Sequence, residues 1–275
     1  MIYKKIKKCL AKQKSNKYGK VLKKYIKEKE VLEYEQRKER LMPYIKSRKK
    51  MSKDKRHRHY RELNEAPKLS VLEEIGNAVS HGVGAILGVV ALILLILKSE
   101  TPLMLMGAIF YGVSMILMMT MSCLYHSYKW GIRVKRIWRR FDYSSIYLLI
   151  GGTFSPILLI DFYQYHPILS IVWFCVMWAI IITGITMVGI FGPGRLKWLH
   201  FPLYFVIGWS ALMLVPGWIK HNIEFFWFIL AGGLVYTIGM IPFVMRGKKA
   251  AHFIWHIFVL FGAVTHFLGI YFCLY

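Results

Sequence analysis

The chain is poor in acid and in paired cysteine. Asp and Glu number 14 against 38 Lys and Arg, for a formal net charge of +24. The four cysteines, Cys9, Cys123, Cys175 and Cys273, are scattered with no C-x-x-C pair, which excludes a disulfide framework and a zinc-finger pattern. A Gly-rich phosphate loop and a Gly-x-Ser-x-Gly elbow are both missing, so nucleotide cradling and serine-elbow hydrolysis have no anchor. Alternating apolar and polar positions are also missing, and a continuous apolar run in lipid is helix because an open sheet leaves its edge groups unpaired. No internal repeat is visible. No cleavable signal peptide is visible: the first apolar run starts near Asn77, too far in, and is long enough to span.

What is present falls into two parts. Residues 1–68 carry +17 of the net charge, whereas residues 69–275 are mildly basic and very apolar. The first part reads as a basic cytoplasmic arm. Lys4 to Tyr44 is rich in Lys and Glu and lacks proline until Pro43, which suits helix. The arm is either a solvated, partly flexible tail or a contact for anionic lipid headgroups; no specific nucleic-acid partner is expected. His57 and His59 lie inside this charge run and carry no role. Met51 could open a shorter chain with the same body.

The second part holds seven apolar segments, near 77–97, 102–125, 143–160, 167–191, 199–219, 225–245 and 250–274. Each can cross a hydrocarbon core of about 30 Å as helix. The expected fold is an all-α, seven-transmembrane helix bundle, multi-pass in the cell membrane. Trp130, Trp138, Trp198 and Trp218 near segment ends suit the interface. Gly84 and Gly88 form a small-xxx-small step for close helix approach. Loops after segments 2, 4 and 6 hold eleven Lys or Arg, including Lys129, Arg133, Lys135, Arg136, Arg139, Arg140 and Arg246. Loops after segments 1, 3 and 5 hold two, Lys98 and Lys220. This bias predicts a cytoplasmic N-terminus and an external C-terminus.

That topology gathers the unusual polar residues at one depth. Glu74, Asn77 and His81 start segment 1, Ser122 and His126 end segment 2, Asp142 starts segment 3, and His252 and His256 start segment 7. All fall near the cytoplasmic face. Ionisable groups at membrane depth are costly and are kept for pairing or function. His252 and His256 are one helical turn apart and by themselves fit a metal pair or two satisfied bundle histidines equally well. With His126 and Asp142 at the same depth, metal is favoured. Three imidazoles suit a tetrahedral Zn²⁺ with the fourth position open to water, the arrangement of a catalytic zinc. Asp142 could accept a proton from that water. Ser122, one turn before His126, could orient the water or a substrate oxygen.

Three motifs stand in order: Glu74-x-x-Asn77-x-x-x-His81; Ser122-x-x-x-His126 followed by Asp142; and His252-x-x-x-His256 followed by Thr265-His266-Phe267. On these residues the chain resembles the hemolysin III family, within the progestin and adiponectin receptor superfamily, over roughly residues 70–275. The resemblance implies a seven-helix fold with zinc bound near the cytoplasmic side by His126, His252 and His256, and Asp142 reaching the metal through water. The superfamily's animal receptors look like lipid-amide hydrolases acting on ceramide. The basic arm departs from the family pattern.

Other histidines read more plainly. Glu74, Asn77 and His81 read as structural or supporting groups rather than ligands. His266 lies about 15 Å up the last helix from His256, too far to share an ion, and suits packing or a cavity wall. His200 is a remote ligand substitute, and His166 and His221 fall in outer loops. The run Gly151-Gly152-Thr153-Phe154-Ser155-Pro156 marks a kink or a close helix contact. Segment 7 has no lysine, so it offers no Schiff base to retinal. Two functional classes remain: a membrane zinc hydrolase of a ceramide-like lipid amide or ester, or a non-enzymatic receptor or regulator of lipid homeostasis, or pore former, with a structural zinc.

Overall fold

A computed structural model describes residues 17–245 and 248–275. Cys9, the first 16 residues of the basic arm and Arg246 lie outside the described residues. The chain divides into two units, Met1–Arg61 and Glu62–Tyr275.

In the first unit the described chain is one long helix, α1 (Lys17–Leu63), whose last two residues belong to the second unit. Its Lys, Glu, Gln and Leu are good helix formers. Pro43 lies inside it and removes one backbone hydrogen bond.

The second unit is a helix bundle. Its elements are α2 (Val71–Lys98), α3 (Pro102–Ser127), α4 (Arg133–Pro156), α5 (Pro167–Phe191), α6 (Lys197–Trp209), α7 (Val215–His221), α8 (Ile223–Val244) and α9 (Ala251–Cys273). A π-turn (Ile157–Asp161) and a short 3₁₀ turn extend α4 to Gln164, and a 3₁₀ turn (Ser210–Leu214) joins α6 to α7. Among the described residues, seven helical spans of 22 to 32 residues are long and apolar enough to cross a membrane. Their outward faces carry large apolar side chains such as Ile86, Leu97 and Ile168, as lipid contact requires.

Local chemistry sets where the spans begin. Ser70 caps α2 in a capping box with Glu73, satisfying end donors that the helix cannot satisfy itself. Thr101 caps α3, and Pro102 sits in its first turn. The third span begins at Arg133, ten residues earlier than the apolar run at Tyr143 suggests. Lys135 and Arg139 are buried there, because protein groups rather than water meet their charges.

Close approach is built in at small residues. A Cβ at Gly84 would meet Met119 and Leu260, and one at Gly88 would meet Ile116, so the small-xxx-small step seats α2 against α3 and α9. A Cβ at Gly152 would meet Ser114 and the Phe110 carbonyl, which brings α4 against α3. The Gly151–Pro156 run thus makes a close contact and then opens into the π-turn. There the Ser170 hydroxyl donates to the Leu158 carbonyl.

Candidate metal centre

The beginnings of α2 and α9 are tied together by Glu73. One of its carboxylate oxygens closes the capping box with Ser70, and the other accepts from the Ala250 backbone N–H at 2.6 Å. Ala250 has φ +61°, a left-handed conformation that a non-glycine residue adopts only where its surroundings hold it. The tie lies two residues before His252 and one before Glu74, so it sets the two motifs side by side.

His126, near the end of α3, is the hub. Its Nδ1 lies 2.7 Å from Glu74 Oε2, and its imidazole is fully buried. A carboxylate only accepts, so Nδ1 carries the proton and Nε2 presents its lone pair. The Asn77 amide lies 3.3 Å from the same Nδ1. A protonated Nδ1 needs an acceptor there, so the amide is better turned with its oxygen toward His126, which also relieves the otherwise unpartnered Oδ1.

Around this hub the ligand candidates of α9 close in. His252 Nε2 lies 3.4 Å from His126 Nε2. The ring centroid of His256 is 4.7 Å from that of His126 and 4.9 Å from that of His252. One nitrogen from each of the three histidines falls within 4.8 Å of the others. Two nitrogens on one tetrahedral zinc, with bonds of 2.0–2.1 Å, stand about 3.3 Å apart. The 3.4 Å separation and the imidazole donor set, buried at His126 and His256 and partly buried at His252, therefore fit a metal ion, and the His126–His252–His256 group could hold one.

His81 does not join this set. Its ring stacks flat on His256 at 3.9 Å. Among the described residues, neither of its nitrogens nor His256 Nδ1 makes a side-chain hydrogen bond. Asp142 is likewise outside the nitrogen cluster; its carboxylate takes the Ser122 hydroxyl, one turn before His126 on α3. Ser122 thus links Asp142 to the helix that carries the hub histidine. His200 is buried elsewhere, hydrogen-bonded through Nδ1 to the Tyr147 hydroxyl at 2.9 Å. His166 stands at the N-cap position of α5 without a side-chain capping bond, and His221 stacks on Tyr165.

Two supporting residues escaped the sequence reading. Lys135 looks like one more loop cation, yet it is fully buried. Its ammonium donates to Glu74 Oε1 at 2.7 Å and to the Tyr128 carbonyl at 2.9 Å, and it lies 4.8 Å from the Tyr125 ring centre. Lys135, Glu74 and His126 therefore form one chain of charge-assisted bonds. Arg139, also buried, donates to the Glu65 carbonyl at 3.0 Å and lies over Tyr143. Lys135, Arg139 and Asp142 are spaced by four and three residues, one face of a helix. That spacing was the available signal.

An apolar cavity of about 190 Å³ opens beside the cluster, among α4, α6, α8 and α9. Phe243 and Trp255 line it at the near end, and the Phe243 ring is 6.4 Å from His252. His266 lines it further along α9.

Known proteins carry the same body. The haemolysin-III related family profile matches residues 69–267. Hemolysin-3 of Bacillus cereus is 36% identical over 206 residues, covering 74% of this chain and 92% of that protein. The hemolysin-3 homolog of Bacillus subtilis (strain 168) is 31% identical over 74% of this chain and 95% of its own length. The human monocyte to macrophage differentiation factor is 25% identical over 79% of this chain and 91% of its own. With seven apolar spans and this match, the chain is a multi-pass membrane protein and belongs to the haemolysin III-related family, within the progestin and adiponectin receptor superfamily.

Proposed function

We propose that this protein is a zinc-dependent hydrolase of membrane lipid amides or esters, with His126, His252 and His256 as ligands. The observation that carries the reading is the position of the three nitrogens beside an apolar cavity, with a carboxylate tied to the adjoining turn of α3. When bound, zinc supplies Lewis acidity toward a carbonyl oxygen or a water molecule. Glu74 holds His126 in the tautomer that offers Nε2. Asp142 accepts the proton released as water adds to the carbonyl carbon and returns it to the leaving nitrogen or oxygen as the C–N or C–O bond breaks. Ser122 holds that carboxylate in place. The cavity takes the apolar chain. A ceramide-like amide is the first substrate to try.

The inner-loop charge bias supports a cytoplasmic site, a cytoplasmic N-terminus and an external C-terminus. Residues 1–68 are taken as a basic arm that can meet anionic headgroups, and 69–275 as the membrane domain.

A second reading, a receptor or regulator of lipid homeostasis with a structural zinc, draws on the Ser122 bond to Asp142, which leaves that carboxylate outside the ligand set. A lytic pore, suggested by the relatives' name, has less support because the cavity wall is apolar. Asp142→Asn separates the first two. It keeps size and removes the base, so zinc should stay bound while turnover of a ceramide and phospholipid panel falls 10²–10⁴-fold. Release of zinc by this variant, or no turnover by the fully zinc-loaded wild type, would put the structural reading ahead.

A further inference from the structure

The cavity beside the histidine cluster is apolar but has a second polar locus. Tyr236 of α8 and His266 of α9 both line it, with ring centroids 5.5 Å apart. Each sits in a notch cut by a glycine of the other helix. A Cβ at Gly232 would run into the His266 ring, and a Cβ at Gly262 would lie 2.8 Å from the Tyr236 ring. The two helices thus exchange polar rings at mid-span, where polar groups are least welcome.

Both rings keep one polar atom unsatisfied. His266 Nε2 lies 3.2 Å from the Ile229 carbonyl, which only accepts, so Nε2 carries the proton. Nδ1 is then an acceptor, and it has no partner although His266 is only 8% exposed. The buried Tyr236 hydroxyl also has none. Other polar groups of the wall are spent on the protein itself: Thr153 on Leu149, Tyr204 on Tyr143, Trp209 on Thr237 and Trp218 on Asp161.

An acceptor nitrogen beside a phenol is complementary to one group in particular, an aliphatic hydroxyl. Its O–H can donate to Nδ1 while its oxygen accepts from the Tyr236 O–H. A ketone could satisfy only the tyrosine. His266 is ten residues beyond His256, about 15 Å along the helix. An extended alkyl chain with bonds of about 1.52 Å advances about 1.25 Å per carbon, so the locus meets the chain about twelve carbons from a carbonyl held at the cluster. We infer that this protein recognises a hydroxylated acyl chain, its hydroxyl near the twelfth carbon, through Tyr236 and His266. The inference rests on the reading that the cavity holds a lipid chain with its carbonyl at the histidines.

The test is binding without turnover, using full-length, zinc-loaded protein in detergent and three free acids: octadecanoic, 12-hydroxyoctadecanoic and 12-oxooctadecanoic. Competition against a fluorescent fatty acid reads the affinities. Two net hydrogen bonds should favour the hydroxy acid about tenfold over the plain acid, with the oxo acid gaining less. Tyr236→Phe removes only the hydroxyl and should reduce that preference without lowering the melting temperature of the ligand-free protein. His266→Leu should abolish the preference. Equal binding of the hydroxy and plain acids, or a preference that survives both substitutions, overturns the recognition pair and leaves the lipid-chain reading standing. If none of the three acids binds, the lipid-chain reading itself falls.

Discussion

The two ends of the third span solve the same problem differently. Near its start, Glu74, Lys135, Asp142 and Arg139 form a network of opposite charges around His126. Near its end, Asp161 is buried with no Lys or Arg paired to it among the described residues; its Oδ2 accepts from Trp218 Nε1 at 2.6 Å, and Asn222 supplies another hydrogen bond. Burying a charge is costly unless it is paired and hydrogen-bonded. Asp161 meets that cost with neutral donors on α7 and at the start of α8, so it binds helices together. Glu74 and Asp142 meet it with cations, a ring nitrogen and a hydroxyl. Their arrangement leaves three imidazoles facing one point, which a purely structural network does not need.

The contrast breaks most sharply at the nitrogens. His252→Ala with His256→Ala removes two of the three candidate ligands, and zinc content measured by elemental analysis should fall from about one ion per chain to background. Full retention would end the metal reading. Lys135→Met leaves the partly buried Glu74 without its cation, which should cost about 1–3 kcal/mol in unfolding free energy. Glu74→Gln added to it should recover part of that loss in a thermal or denaturant melt, and the coupling tests whether the two act as one unit. At the other end, Trp218→Phe removes only the Nε1 donor and should cost about 1–3 kcal/mol. Zinc content should not change. Loss of zinc there would mean that the two ends are coupled.

Most of the bundle could be read from continuous apolar runs, because lipid permits one solution for such runs. Their boundaries were less legible. Hydropathy places the third span at Tyr143, but the helix begins at Arg133, since no scale registers that Lys135 will meet Glu74. The π-turn at Ile157–Asp161 was likewise hidden: Pro156 marks an irregularity, but the hydrogen-bond pattern after it depends on α5, where Ser170 takes the Leu158 carbonyl. Trp218 reads as an interfacial residue and is instead buried on Asp161, a pairing 57 residues apart. The three converging histidines were legible because period and topology together fix their depth. The role of Glu74 as the partner of His126 Nδ1 needed coordinates, because it depends on which atoms of two helices meet.

The Glu73–Ala250 bond joins residues 177 positions apart, and two of the three candidate ligands follow it on α9. During synthesis, the centre therefore stays incomplete until the last span has entered the bundle. Without α9 the chain offers only one of the three clustered nitrogens, that of His126. The three-nitrogen arrangement is thus a property of the finished bundle, complete only once the first and last spans have found each other.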